Sequence, residues 1–131
     1  MSRPRVAKQA KRSVERRAES RVAARFPAVL VGDARTTIAS THNLSASGAY
    51  CTLRQSIPLM TRLQVRFQIP GRPTSTQIVC QGVVVRIEPP VPTPRRTRYK
   101  VAIFFNDMTD GDRAVITRYV QQQLHATKRR G

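Results

Sequence analysis

The chain is poor in the residues that catalysis and extracellular stabilisation draw on. Among 131 residues there are two cysteines, two histidines and seven acids, and tryptophan is absent. Cys51 and Cys80 share no CxxC spacing and both fall inside apolar runs, where a free thiol behaves as a small buried hydrophobe. That excludes a secreted disulfide scaffold and a zinc site, and it fits a reducing, cytoplasmic setting. His42 and His125 add no paired ligand spacing, so no metal and no cofactor is expected. His42 lies three residues before Ser45, but there is no GxSxG elbow to make that serine a nucleophile. No catalytic residue is assigned, and the chain does not read as an enzyme. Long apolar runs are missing as well: none approaches the roughly 18 residues a membrane span needs, and the basic N-terminus is not followed by an apolar h-region.

What is present in excess is positive charge. Lys and Arg number 24, giving a formal net charge of +17. Such an imbalance favours phosphate-bearing partners. It is unevenly spread: residues 1 to 25 hold nine basic and two acidic residues, and Lys128, Arg129 and Arg130 crowd the other end. Half of the cationic charge therefore lies at the two ends, which weakens the case for a uniformly cationic nucleic-acid-binding fold. Most aromatic residues share strand faces with aliphatic ones, which removes the usual platform for base stacking.

The length suits one domain. "FPAVLV", residues 26 to 31, reads as a first strand, closed by a Gly32-Asp33 turn, and a second strand covers Arg35 to Thr41. In "RLQVRFQI", Leu63, Val65, Phe67 and Ile69 alternate with polar residues, the period of a strand with one buried face. "TQIVCQGVVVRIE", residues 76 to 88, is a further β-branched run. "RYKVAIFF" puts Tyr99, Val101, Ile103 and Phe105 on one face, after a proline-rich loop that excludes ladder pairing. From Asp110 the period changes: Ile116, Tyr119, Val120 and Leu124 recur at helical spacing, with Thr109 or Asp110 as the cap. Asp107, Asp110 and Asp112 read as acids gathered at the positive end of that helix. The expected fold is all-β dominated, a barrel or sandwich with one C-terminal helix over its open side.

Two short motifs carry the functional signal. "ERRAESRVAARFP", residues 15 to 27, sets Arg17 and Arg21 four apart with Arg16 beside them, immediately before the first strand. Arg21 and Arg25 satisfy the same spacing. Some twenty residues on, "HNLSASGAYC" combines Asn43, Ser45 and Gly48, short hydrogen-bonding side chains with a glycine free to take positive φ and to let backbone approach a ligand. In this order, RxxxR followed by NxSxxG, the sequence resembles the PilZ domain family. "RLQVRFQIPG", "GVVVRIEP", "YKVAIFF" and "DRAVITRYVQQQ" look like that family's successive elements, and the resemblance covers roughly residues 15 to 124.

The resemblance implies a six-stranded antiparallel, split-barrel-like β-barrel with a C-terminal helix at about 110–125. The domain would span 15–126, with a basic flexible arm at 1–14 and a basic tail at 127–131. It also implies a receptor for cyclic di-GMP, signalling through an unidentified protein partner to motility, biofilm or exopolysaccharide machinery. Arg16, Arg17 and Arg21 would strap the ligand, Asn43 and Ser45 would hydrogen-bond a guanine edge or a phosphate oxygen, and Gly48 would keep the surface clear. Ser47, where the family often has a glycine, and Arg86, at the end of "GVVVR", are secondary candidates. The chemistry suits arginine, whose planar fork meets the O6 and N7 acceptors of guanine and stacks on purine faces. A basic nucleic-acid-binding barrel and a ligand-free docking module of the same fold are the alternatives; no specific nucleic acid is expected. The loop cations Arg95, Arg96, Arg98 and Lys100 read as a solvated basic loop, with anionic lipid or protein docking as the other reading.

Overall fold

In the computed structural model of the chain, the described residues are 21–71, 73–91, 93 and 98–130. Among the described residues seven strands and one helix follow one another: β1 (Val22–Ala23), β2 (Pro27–Val31), β3 (Thr36–Leu44), β4 (Gly48–Leu53), β5 (Arg62–Ile69), β6 (Thr76–Glu88), β7 (Tyr99–Asp107) and α1 (Asp110–Arg130). All pairings are antiparallel, and the six longer strands run in the order β3-β2-β5-β6-β7-β4, with β4 returning to pair β3. The barrel is closed, as expected. The two-residue β1 adds to it by pairing Val22 with Leu44 and Ala23 with Asn43.

Alternation dictates which side chains enter. Leu63, Val65, Phe67 and Ile69 on β5, and Tyr99, Val101, Ile103 and Phe105 on β7, are all buried. Each such side chain contributes about 1.5–3 kcal/mol relative to exposure. An aromatic chain runs through the interior: Phe67 stacks between Phe26 at 5.7 Å and Phe105 at 6.0 Å. Helix α1 joins it by setting Tyr119 edge-on to Phe26 at 6.5 Å, while Ile116 and Val120 enter the core. Cys51 and Cys80 lie in the same interior as free thiols. Burial pushes Cys51 up to about 11 and Cys80 up to about 12, so neither is a nucleophile near neutral pH.

The Gly32-Asp33 turn is where the sequence puts it, with the Gly32 amide donating to the Arg35 carbonyl at 2.9 Å. Two boundaries differ from expectation. Strand β3 continues three residues past Thr41, so Asn43 belongs to the sheet rather than to a turn. Helix α1 continues through Arg130, so the basic run at 128–130 is its last turn rather than a separate tail. Gln121 to Gln123 and Ala126 all favour helix. At the other end Thr109 is the cap: its Oγ1 accepts the Asp112 amide at 3.1 Å.

Candidate ligand-binding site

The site begins with an irregularity in β3. From Thr36 to Thr41 the strand alternates outward and inward; Thr41 then pairs Cys51, but Asn43 pairs Tyr50, leaving His42 as an extra residue. Such a bulge bends the strand and re-aims the side chains after it. Here it leaves His42 and Asn43 both on the outer wall and returns Leu44 to the core. Strict alternation would have buried Asn43 and exposed Leu44. The His42 ring hydrogen-bonds the Thr52 hydroxyl across the bulge.

Beyond Leu44 the chain reverses in a tight turn. The Ser45 amide donates to the Gly48 carbonyl at 2.9 Å, and the Ser47 amide donates to Ser45 Oγ at 3.3 Å. Ser45 is buried, and its hydroxyl faces this turn, with Gly48 O at 3.4 Å and Ser47 Oγ at 3.5 Å. Gly48 is buried too, and the positive φ open to a glycine is not used. No described glycine has positive φ; a Cβ on Gly48 would instead stand 2.3 Å from the Ile103 carbonyl oxygen. Glycine is there so that β4 can close against β7. Two outside contacts lock the turn: the Phe105 amide donates to Ser47 O at 2.8 Å, and Arg113 of α1 donates through Nη1 to Ala46 O at 2.9 Å.

Asn43 is what this frame presents. Its Oδ1 is buried and has no hydrogen-bond partner among the described residues. A buried acceptor left unpaired costs about 1–3 kcal/mol, so this is a position that a donor from outside would stabilise. Next to it, β1 brings in Arg21. The Val22–Leu44 and Ala23–Asn43 pairs fix the backbone, and the Arg21 guanidinium stands 4.9 Å from the centroid of the Tyr50 ring. A cation over an aromatic face is held electrostatically by the ring quadrupole. Register then extends the surface: Asn43 is opposite Tyr50, Tyr50 opposite Ala102, and Ala102 opposite Arg86. At ordinary strand spacing this transverse row is about 14 Å long. Arg86 at its far end is exposed and ion-paired with Glu88 at 2.9 Å.

The structure thus brings together Arg21, Asn43 and, across the row, Arg86. Ser45, Ser47 and Gly48 build the turn beneath them. Arg16, Arg17 and the 1–14 arm lie outside the described residues, as do Arg95 and Arg96. Tyr50 was missed in the sequence; its signal was its place two residues after Gly48, on the outward face of a strand whose Ala49, Cys51 and Leu53 point inward. Among the described residues no three His, Cys, Asp or Glu side chains gather as a metal site would require, and no helix is long and apolar enough to cross a membrane.

Comparison with known proteins bears on this geometry. The family model described as PilZ domain matches residues 15–122, while no curated protein matches the chain. Among solved structures, the Bacillus subtilis inhibitor of motility MotI/DgrA superposes with a TM-score of 0.67 at 21% identity, covering 82% of this chain and 51% of that one. The PilZ domain of Escherichia coli YcgR with c-di-GMP gives a TM-score of 0.59 at 13% identity, over 86% of this chain and 94% of that one. The structure of YcgR in complex with c-di-GMP gives 0.59 at 14%, over 86% of this chain and 47% of the other. This chain thus spans about half the length of MotI/DgrA and of that YcgR chain, and at these identities the likeness is one of fold.

Proposed function

The chain belongs to the PilZ domain family, and from that premise we propose that it is a non-catalytic receptor for cyclic di-GMP. The observation that carries the reading is the convergence of Arg21, stacked on Tyr50, with the buried Oδ1 of Asn43, which has no partner among the described residues. The ligand has two guanines and two phosphodiester charges. The N1–H and exocyclic N2–H groups of guanine are donors, and an acceptor such as Asn43 Oδ1 suits them better than a phosphate, which has only acceptors to offer. Arg21 meets the O6 and N7 edge with its fork or stacks on the purine face. Arg16 and Arg17 close over the ligand from the N-terminal side. Ser45 acts mainly by shaping the turn, and Gly48 by letting the wall close behind it; Arg86, and Ser47 within the turn, are secondary contacts.

In this reading the signal is the closing of the arginines over the ligand, passed on to a protein partner of motility, biofilm or polysaccharide machinery. Two free buried thiols suit a cytoplasmic setting. Titration calorimetry with cyclic di-GMP tests the proposal. Arg21→Ala removes charge-assisted hydrogen bonds of about 2–3 kcal/mol, so affinity falls about 30-fold to 150-fold while the circular dichroism spectrum stays that of the wild type. Absence of binding by folded wild-type protein at tens of micromolar overturns the reading.

A further inference from the structure

A second surface is left unused by the dinucleotide reading. One residue row further along the barrel wall, Ser40 lies opposite Thr52, Thr52 opposite Lys100, and Lys100 opposite Glu88. Around this row the outer faces of β3, β4 and the start of β7 form a concavity of about 1070 Å³. Thr36, Ser40 and Thr52 supply hydroxyls to it, and Arg54, Arg98 and Lys100 supply three cations. The one acid among the described lining residues, Glu88, is already paired with Arg86. Among the described residues Arg54, Arg98 and Lys100 have no ion-pair partner.

We propose that this groove docks an acidic segment of a partner protein. Three like charges gathered round hydroxyl donors form a local positive potential that carboxylates would relieve. At about 1070 Å³ the concavity stands at the upper end of small-ligand pockets, room enough for a short stretch of peptide. Because the barrel is closed, no edge is available here for strand addition, and recognition falls to side chains. The occupant comes from outside: residues 1 to 20 carry seven Lys and Arg against two Glu, and a second copy of the chain brings +17. Both are repelled by the groove. Nucleic acid fits less well, since among the described lining residues His42 is the one aromatic ring, and it is engaged by Thr52, which leaves no platform for successive bases. His42, on the bulge beside Asn43 and hydrogen-bonded to Thr52, belongs to the same lining and makes the groove contiguous with the ligand row. The proposal stands whether or not the dinucleotide binds.

The test uses the full chain and a fluorescein-labelled peptide of ten residues alternating glutamate and serine, read by anisotropy. Arg54→Glu with Lys100→Glu is compared with Arg62→Glu plus Arg66→Glu on β5, which changes the net charge equally on the far side of the barrel. The groove pair is expected to lose at least tenfold in peptide affinity and the β5 pair less than threefold. Arg54→Gln with Lys100→Gln provides a milder version should charge reversal impair folding, and is expected to follow the same order. Equal losses in both pairs, or stronger groove-dependent binding of oligouridine or of phosphatidylglycerol vesicles than of the peptide, overturn the proposal. Calorimetry with cyclic di-GMP on the same variants keeps the two readings separate, since loss of peptide binding with retained dinucleotide binding implicates the groove alone.

Discussion

On one side of His42, strand β3 alternates without a break, and on the other it does not. Before it, Thr37, Ala39 and Thr41 point inward while Thr36, Ile38 and Ser40 point outward to line the cationic groove. After it, the extra residue puts Asn43 on the wall and Leu44 in the core, and the partner strands on the wall turn aromatic and small, with Tyr50 and Ala102 in the row. One strand therefore builds two chemically different surfaces. The difference teaches that the bulge serves the side chains that follow it, because a slip of one residue exchanges every inward and outward position.

The comparison breaks most severely at Leu44. It is 0% exposed, whereas Ile38 in the regular half is 71% exposed. Leu44→Ala is expected to cost about 2–5 kcal/mol in urea unfolding, and Ile38→Ala less than about 0.5 kcal/mol; similar costs for the two would mean that the bulge does not redirect the strand. Gly48→Ala ranks next. Its new methyl meets the Ile103 carbonyl, a backbone atom that cannot rotate away, and overpacking of this kind costs about 1–3 kcal/mol. An unchanged denaturation midpoint for that variant would return the glycine to a ligand-facing role. The smallest effect belongs to deletion of His42. Removing the extra residue restores simple alternation with Asn43 outward and Leu44 inward, at the expense of the Ala24 amide bond to the His42 carbonyl. A loss of about 1 kcal/mol is expected, and a collapse of the fold on deletion would show that the register is held by something other than the inward and outward pattern.

Much of this was legible before any coordinates. The period-2 runs of β5, β6 and β7 declare themselves because each has one wet and one dry face, and the helical stripe from Ile116 to Leu124 does so through its change of period. The bulge was not legible, since "THNL" contains no glycine or proline and a displaced register leaves no mark in residue types. Strand β1, only two residues long, is too short to show any period; it forms because Val22 buries against Leu44's end of the sheet. At the site, arginine spacing and NxSxxG located the right neighbourhood. They did not separate the residue that presents itself, Asn43, from those that hold the frame, Ser45 and Gly48, because burial depends on strands distant in sequence. The far half of α1 was underestimated for a similar reason: it has no apolar stripe, and its length rests on the intrinsic preference of glutamine, alanine and lysine for helix.

The bond from Arg113 to the Ala46 carbonyl has a mechanical consequence. The reversal between β3 and β4 is grasped from two sides, by the start of the helix and by the end of β7, while the leader strand lies along its approach. Early and late segments of the polypeptide are thus fastened to a single five-residue knot. A displacement of that knot would load the first turn of the helix and the leader strand together, through the wall and not through the barrel's interior.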